Sequence, residues 1–129
     1  MGLIIKNISH LEELRELIVE GHPMLFTGSQ TSTVIPFEKL EGIQSLIGEG
    51  QDLTLVNLNS LPPQMSMHGD HLVVSGYVSW KEAKAFCRQH GREIMCSPTE
   101  ELASILSGLA TSATGERSFG HGSLRSQVV

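Results

Sequence analysis

Val78-Ser79-Trp80-Lys81-Glu82-Ala83-Lys84-Ala85-Phe86-Cys87-Arg88-Gln89-His90-Gly91 carries a helix start, an apolar face and a stop within fourteen residues. Ser79 stands three residues before Glu82, so hydroxyl and carboxylate can satisfy each other's unpaired helix-end donors. Trp80, Ala83 and Cys87 then share a face, with Phe86 beside it, and Gly91 can take the left-handed conformation that ends a helix. The pattern predicts a helix over about 80–90, with Cys87 on its buried face as a small apolar residue. The same Ser-x-x-Glu spacing recurs at Ser9-His10-Leu11-Glu12 and Ser97-Pro98-Thr99-Glu100. The first of these predicts a helix over about 10–20, with Leu11, Leu14 and Ile18 inward and Gly21 as its stop. The second predicts a helix with Pro98 at its first position and Leu102, Ile105, Leu106 and Leu109 on its core face. Phe37, Leu40, Ile43 and Leu46 suggest a short fourth helix.

Strands fill the intervals. Pro23 to Phe26, Leu53 to Leu58 and Ile94-Met95-Cys96 are short apolar candidates. Met65-Ser66-Met67-His68 and His71-Leu72-Val73-Val74 flank Gly69-Asp70, whose leading glycine suits a type II′ hairpin turn. Met65 and Met67 alternate as a packed strand face does, and Tyr77, Trp80 and Phe86 read as core. His68, Asp70 and His71 gather at the hairpin tip by turn geometry, without the further ligands a metal requires. The whole reads as one α+β unit over residues 1–129, a short sheet flanked by the helices near 10–20 and 80–90.

Composition narrows the class. Of 129 residues, 40% are hydrophobic and 18% charged, enough apolar material for a core and too little charge for a disordered chain. No apolar run approaches the roughly 20 residues that span a bilayer, so a cytoplasmic protein without membrane insertion is expected. Nine Lys plus Arg against fourteen Asp plus Glu leave a net charge of -5, which repels a phosphate polymer and argues against nucleic acid. Cys87 and Cys96 form neither a disulfide framework nor a zinc motif.

Two polar stretches remain as carriers of chemistry. Thr27-Gly28-Ser29-Gln30-Thr31-Ser32-Thr33 follows a strand candidate directly, and small residues of this kind let backbone N–H groups approach an anion. The same composition also suits a solvated strand-to-helix connection. Ser107-Gly108-Leu109-Ala110-Thr111-Ser112-Ala113-Thr114-Gly115 leaves room for a flat polyanionic ligand against the backbone; a mobile terminal segment has the same look. His121, in the loop beyond, reads as solvated rather than as an acid or base.

With these two loops in place, the chain resembles the FAD-binding domain of the vanillyl-alcohol oxidase and p-cresol methylhydroxylase (PCMH-type) flavoenzymes over nearly its whole length. Gly28-Ser29-Gln30-Thr31-Ser32 is similar to the family's Gly-Gly-Gly-Thr-Ser-like pyrophosphate loop, and Leu106 to Gly115 to its Gly-Gly-x-Ile-Ala-Thr-Asn-Ala-x-Gly segment. The Ala-Thr-x-Ala-x-Gly portion, Ala110 to Gly115, is the most specific match. Ser29 and Gln30 replace two of the family's glycines, Leu106-Ser107 replaces its Gly-Gly pair, and Ser112 stands in for Asn.

The resemblance implies an N-terminal βα subdomain and an incomplete second subdomain. It implies cofactor contacts at Gly28, Ser29, Gln30, Thr31, Ser32, Pro98, Gly108, Thr111, Ser112, Gly115 and Gly122. No histidine stands in the first loop for a covalent linkage, so FAD is expected to be noncovalent. Oxidation of an alcohol or hydroxy acid type donor, with hydride passing to flavin N5, is the implied reaction. Its substrate domain would lie in a C-terminal part or a second chain beyond this one, so no catalytic residue is assigned. The alternative is a non-catalytic α+β binding or interaction module derived from such a domain and lacking flavin.

Overall fold

A computed structural model describes residues 2–29, 50–115 and 117–129. It is mixed α+β and divides into two compact units, Met1–Leu61 and Pro62–Val129. The fourth helix expected near 37–46 lies outside the described residues, as do Gln30, Thr31 and Ser32 of the first polar loop.

The first unit contains β1 (Leu3–Asn7), α1 (Leu11–Glu20), β2 (Met24–Thr27) and β3 (Leu53–Asn57). The three strands form a parallel sheet in the order β1-β3-β2, with Leu55 between Ile5 and Leu25 in register. The central position explains β3's composition. Leu53, Thr54, Leu55 and Val56 are all buried, because a parallel central strand is covered on both faces and has no solvent side to alternate toward. Full burial of side chains such as Leu53 and Val56 stabilises the unit by roughly 1.5–3 kcal/mol each.

Two details of this unit depart from the sequence reading. β1 was not expected, since Leu-Ile-Ile-Lys-Asn shows no period; its ladder with β3 makes it a strand. The helix start at Ser9 is displaced by one residue. His10 is the extended N-cap, without a side-chain cap bond, and the Ser9 hydroxyl instead donates to Glu13 at 3.2 Å. The inward face turns with it. Leu17 is buried, whereas Leu11 and Ile18 are exposed. Gly21 ends α1 as expected, in the left-handed conformation at φ 71°.

The second unit begins with an antiparallel hairpin, β4 (Gln64–His68) and β5 (His71–Ser75). Gly69 has φ 61° while Asp70 is not in the positive-φ region, as a II′ turn requires. Met65 and Met67 face inward opposite Val74 and Leu72. At the tip, Asp70 is taken up by Arg92 at 2.8 Å and His68 by Ser66 at 3.0 Å. Among the described residues no group of three or more His, Cys, Asp or Glu side chains could hold a metal.

α2 (Trp80–Gln89) packs against β4 and has the complete capping box read from its sequence: Ser79 Oγ accepts from Glu82 N at 3.2 Å, and Ser79 N donates to Glu82 Oε2 at 2.9 Å. Trp80, Ala83 and Cys87 form its buried face.

The third expected helix start is overturned. Residues 97–104 are not helical, and α3 runs Ile105–Thr111 with Ser104 as N-cap, its hydroxyl accepting from Ser107 N at 3.0 Å. The reason lies in α2, whose first-turn donors need acceptors. Trp80 N donates to Ala103 O at 3.1 Å and Lys81 N to Glu101 O at 2.9 Å, which holds this segment as a turn against the helix end, closed by Ala103 N donating to Glu100 O at 3.4 Å. Leu102 and Leu106 are consequently exposed rather than core. Ile94-Met95-Cys96 joins no ladder with any described strand; Cys96 is buried instead against Ser118 Oγ, 3.3 Å away. The unit closes with α4 (Ser118–His121) and a 3₁₀ turn, Leu124–Gln127. No helix among the described residues is long and apolar enough to cross a membrane.

Candidate functional site

In the first unit all three parallel strands end on the same edge with polar residues: Asn7, Thr27 and Asn57. Asn57 Nδ2 donates to Asn7 Oδ1 at 3.0 Å, and Leu58 N donates to Thr27 O at 2.9 Å, so these bonds tie the strand ends together. Gly28 and Ser29 leave β2 from this carboxyl edge and are half-buried. The carboxyl ends of parallel strands are where open α/β sheets bind ligands, because the loops there diverge and leave a crevice.

In the second unit the remaining predicted residues come together although they span 25 positions. Ser97 packs its backbone on Gly115, Ser112 Oγ donates to Ser123 Oγ at 3.0 Å, and Leu124 N donates to Ala113 O at 3.0 Å. Gly122, at φ 81°, begins the return into the 3₁₀ turn. Arg125 donates to Leu109 O and Ala110 O at 3.2 and 2.8 Å, covering two carbonyls at the end of α3. His121 is exposed, and its carbonyl accepts from Gln127 at 2.6 Å.

Several groups expected to meet a ligand already have protein partners. The Thr111 hydroxyl donates back to Ser107 O at 3.1 Å. Gly108 is buried, and a Cβ there would come within 3.2 Å of Trp80 Cζ2 and 3.3 Å of Leu124 Cδ2. A Cβ on Gly115 would overlap the Ser97 carbonyl. Both glycines therefore serve close packing within the unit. Trp80 Nε1 is buried without a hydrogen-bond partner among the described residues, a state that costs about 1–3 kcal/mol and that sequence pattern gave no means of foreseeing.

Pro98 stands in the wall of a cleft of about 260 Å³ beside α2, which the sequence reading missed because its residues are scattered over 84–117. Lys84 and Arg88 reach it from one helix face, four residues apart, and Glu93, Ser97, Thr99, Glu101 and Arg117 complete its polar lining. Lys84 Nζ lies 2.7 Å from Glu101 Oε1, and Arg117 lies 2.8 Å from Glu93 Oε1. The hydrogen bond from Arg117, with its charge, holds the Glu93 carboxyl below its ordinary range; that from Lys84 does the same for Glu101. Arg88 adds to both effects from a distance.

Together these features define a two-unit α+β protein with a polar sheet edge in one unit and a charged cleft in the other. No family model, curated protein or solved structure matches the chain.

Proposed function

We propose that the chain is the FAD-binding portion of a flavin-dependent oxidoreductase, with the PCMH-type arrangement of an N-terminal βα subdomain and part of a second. The observation that carries this reading is the departure of Gly28-Ser29 from the carboxyl edge of a parallel sheet, where a pyrophosphate-binding loop belongs. The Ala110 to Gly115 motif supports it from sequence. Backbone N–H groups and hydroxyls from Gly28 to Ser32 would hold the phosphates of a noncovalent cofactor, and the family resemblance alone assigns Pro98, Ser112 and Gly122 to the same ligand. Bound FAD would supply a two-electron acceptor for an alcohol or hydroxy acid type donor, held by a substrate domain in another part or a partner chain. The purified protein, completed by that partner, is expected to show a flavin absorption spectrum.

A second reading is favoured by one observation. Trp80, Leu124 and Ser97 fill the space beside Gly108 and Gly115, which accounts for both glycines without any ligand. On this reading the chain is an α+β interaction module that has lost flavin. A purified protein that carries no flavin and takes none up selects it.

A further inference from the structure

We propose that the cleft beside α2 binds a small phosphate-class oxyanion, with Arg88 as its principal ligand and the Ser97 and Thr99 hydroxyls as additional donors.

The chain is acidic overall, yet three of its nine Lys and Arg residues, Lys84, Arg88 and Arg117, line this single cleft. Against them stand two carboxylates, Glu93 and Glu101, so the described residues of the lining carry one net positive charge. The two carboxylates are committed to Arg117 and Lys84 at 2.8 and 2.7 Å. Arg88 makes no ion pair or side-chain hydrogen bond among the described residues, and neither the Ser97 nor the Thr99 hydroxyl has a partner there. A guanidinium presents five N–H donors and no acceptor, and each hydroxyl adds one donor. Donors in excess of acceptors, with surplus positive charge, match a ligand that is all acceptor and negative. Phosphate fits that description, and Arg recognises it in bidentate fashion. A volume of about 260 Å³ admits a phosphate or a small phosphomonoester but not a dinucleotide. The proposal does not rest on the flavin reading, although Pro98, assigned to the cofactor by the resemblance, borders the cleft.

The test is calorimetric titration of inorganic phosphate into the full chain without FAD, at constant ionic strength held with chloride. Saturable binding is expected in the wild type, weakened about tenfold or more in Arg88→Gln and strengthened several-fold in Glu93→Gln, which removes a competing carboxylate. Arg15→Gln, on α1 of the other unit, is expected to bind as the wild type does. Unchanged thermal unfolding of Arg88→Gln verifies that the fold is retained, as expected for an exposed side chain without a side-chain partner among the described residues. Absence of saturable binding, or equal affinity in wild type and Arg88→Gln, overturns the proposal. So does a loss of flavin binding in Arg88→Gln, measured in a separate FAD titration, which would make the cleft part of the cofactor site.

Discussion

The α-carbon of Gly115 lies against the carbonyl of Ser97 so closely that a side chain on Gly115 would overlap the carbonyl oxygen. Backbone cannot give way as a flexible side chain can. Gly115→Ala should therefore destabilise the second unit by at least about 2 kcal/mol, through forced displacement of one of the two segments. Gly120→Ala is the matched control: nothing lies within 4 Å of its added methyl, and it sits in α4. Its change should stay within about 0.5 kcal/mol. Denaturant unfolding of both variants checks the pair; equal stability of the two would contradict the close approach.

Ser79 and Glu82 form a reciprocal cap at the start of α2. Ser79→Ala should cost about 1 kcal/mol, by leaving a helix-end donor unpaired. Ser97→Ala should cost less than about 0.5 kcal/mol, because its Ser-x-x-Glu spacing caps no helix here. Thermal melts of the two variants side by side distinguish a cap that forms from one that exists only as a pattern.

That contrast shows what the sequence could convey. The box at Ser79, the stop at Gly21 and the turn at Gly69-Asp70 were legible because each is decided within a few residues by local bonding. The box at Ser97 failed because the donors of α2's first turn draw the carbonyls of Glu101 and Ala103 into a turn against that helix end, a demand set by a helix some twenty residues earlier. β1 was illegible for a related reason: it becomes a strand through its ladder with β3, fifty residues later. Among the candidate site residues, the position of Gly28 after a strand was readable. The packing roles of Gly108 and Gly115 were not, since small residues look alike whether they face a ligand or a neighbouring side chain.

Cys87 is buried on α2, and desolvation pushes its thiol up from the ordinary value. Only the thiolate reacts readily with alkylating reagents, so native Cys87 should label far more slowly than in the unfolded chain. The raised value also fixes a sign. The native state holds this proton to higher pH than the unfolded state does, so the contribution is fully present below the unfolded thiol's pKa. It is lost as pH rises through the native one. Cys87→Ala should thus weaken the alkaline fall in stability, seen in unfolding curves measured across that range. Rapid labelling of the native protein at Cys87 would contradict the burial.

Gly28 bears most directly on flavin binding, because it is the first loop residue beyond β2 at the sheet's carboxyl edge. The decisive measurement is titration of FAD, followed by flavin fluorescence, into the partner-completed wild type and its Gly28→Val variant. A Cβ branch in a pyrophosphate loop pushes the anion from the backbone and removes contacts worth roughly 1–3 kcal/mol, or about tenfold to a hundredfold in affinity. Saturable binding by the wild type and a loss of that size in the variant are expected, with the circular dichroism of the helices unchanged. Wild-type affinity in Gly28→Val, or no binding by either protein, would contradict it.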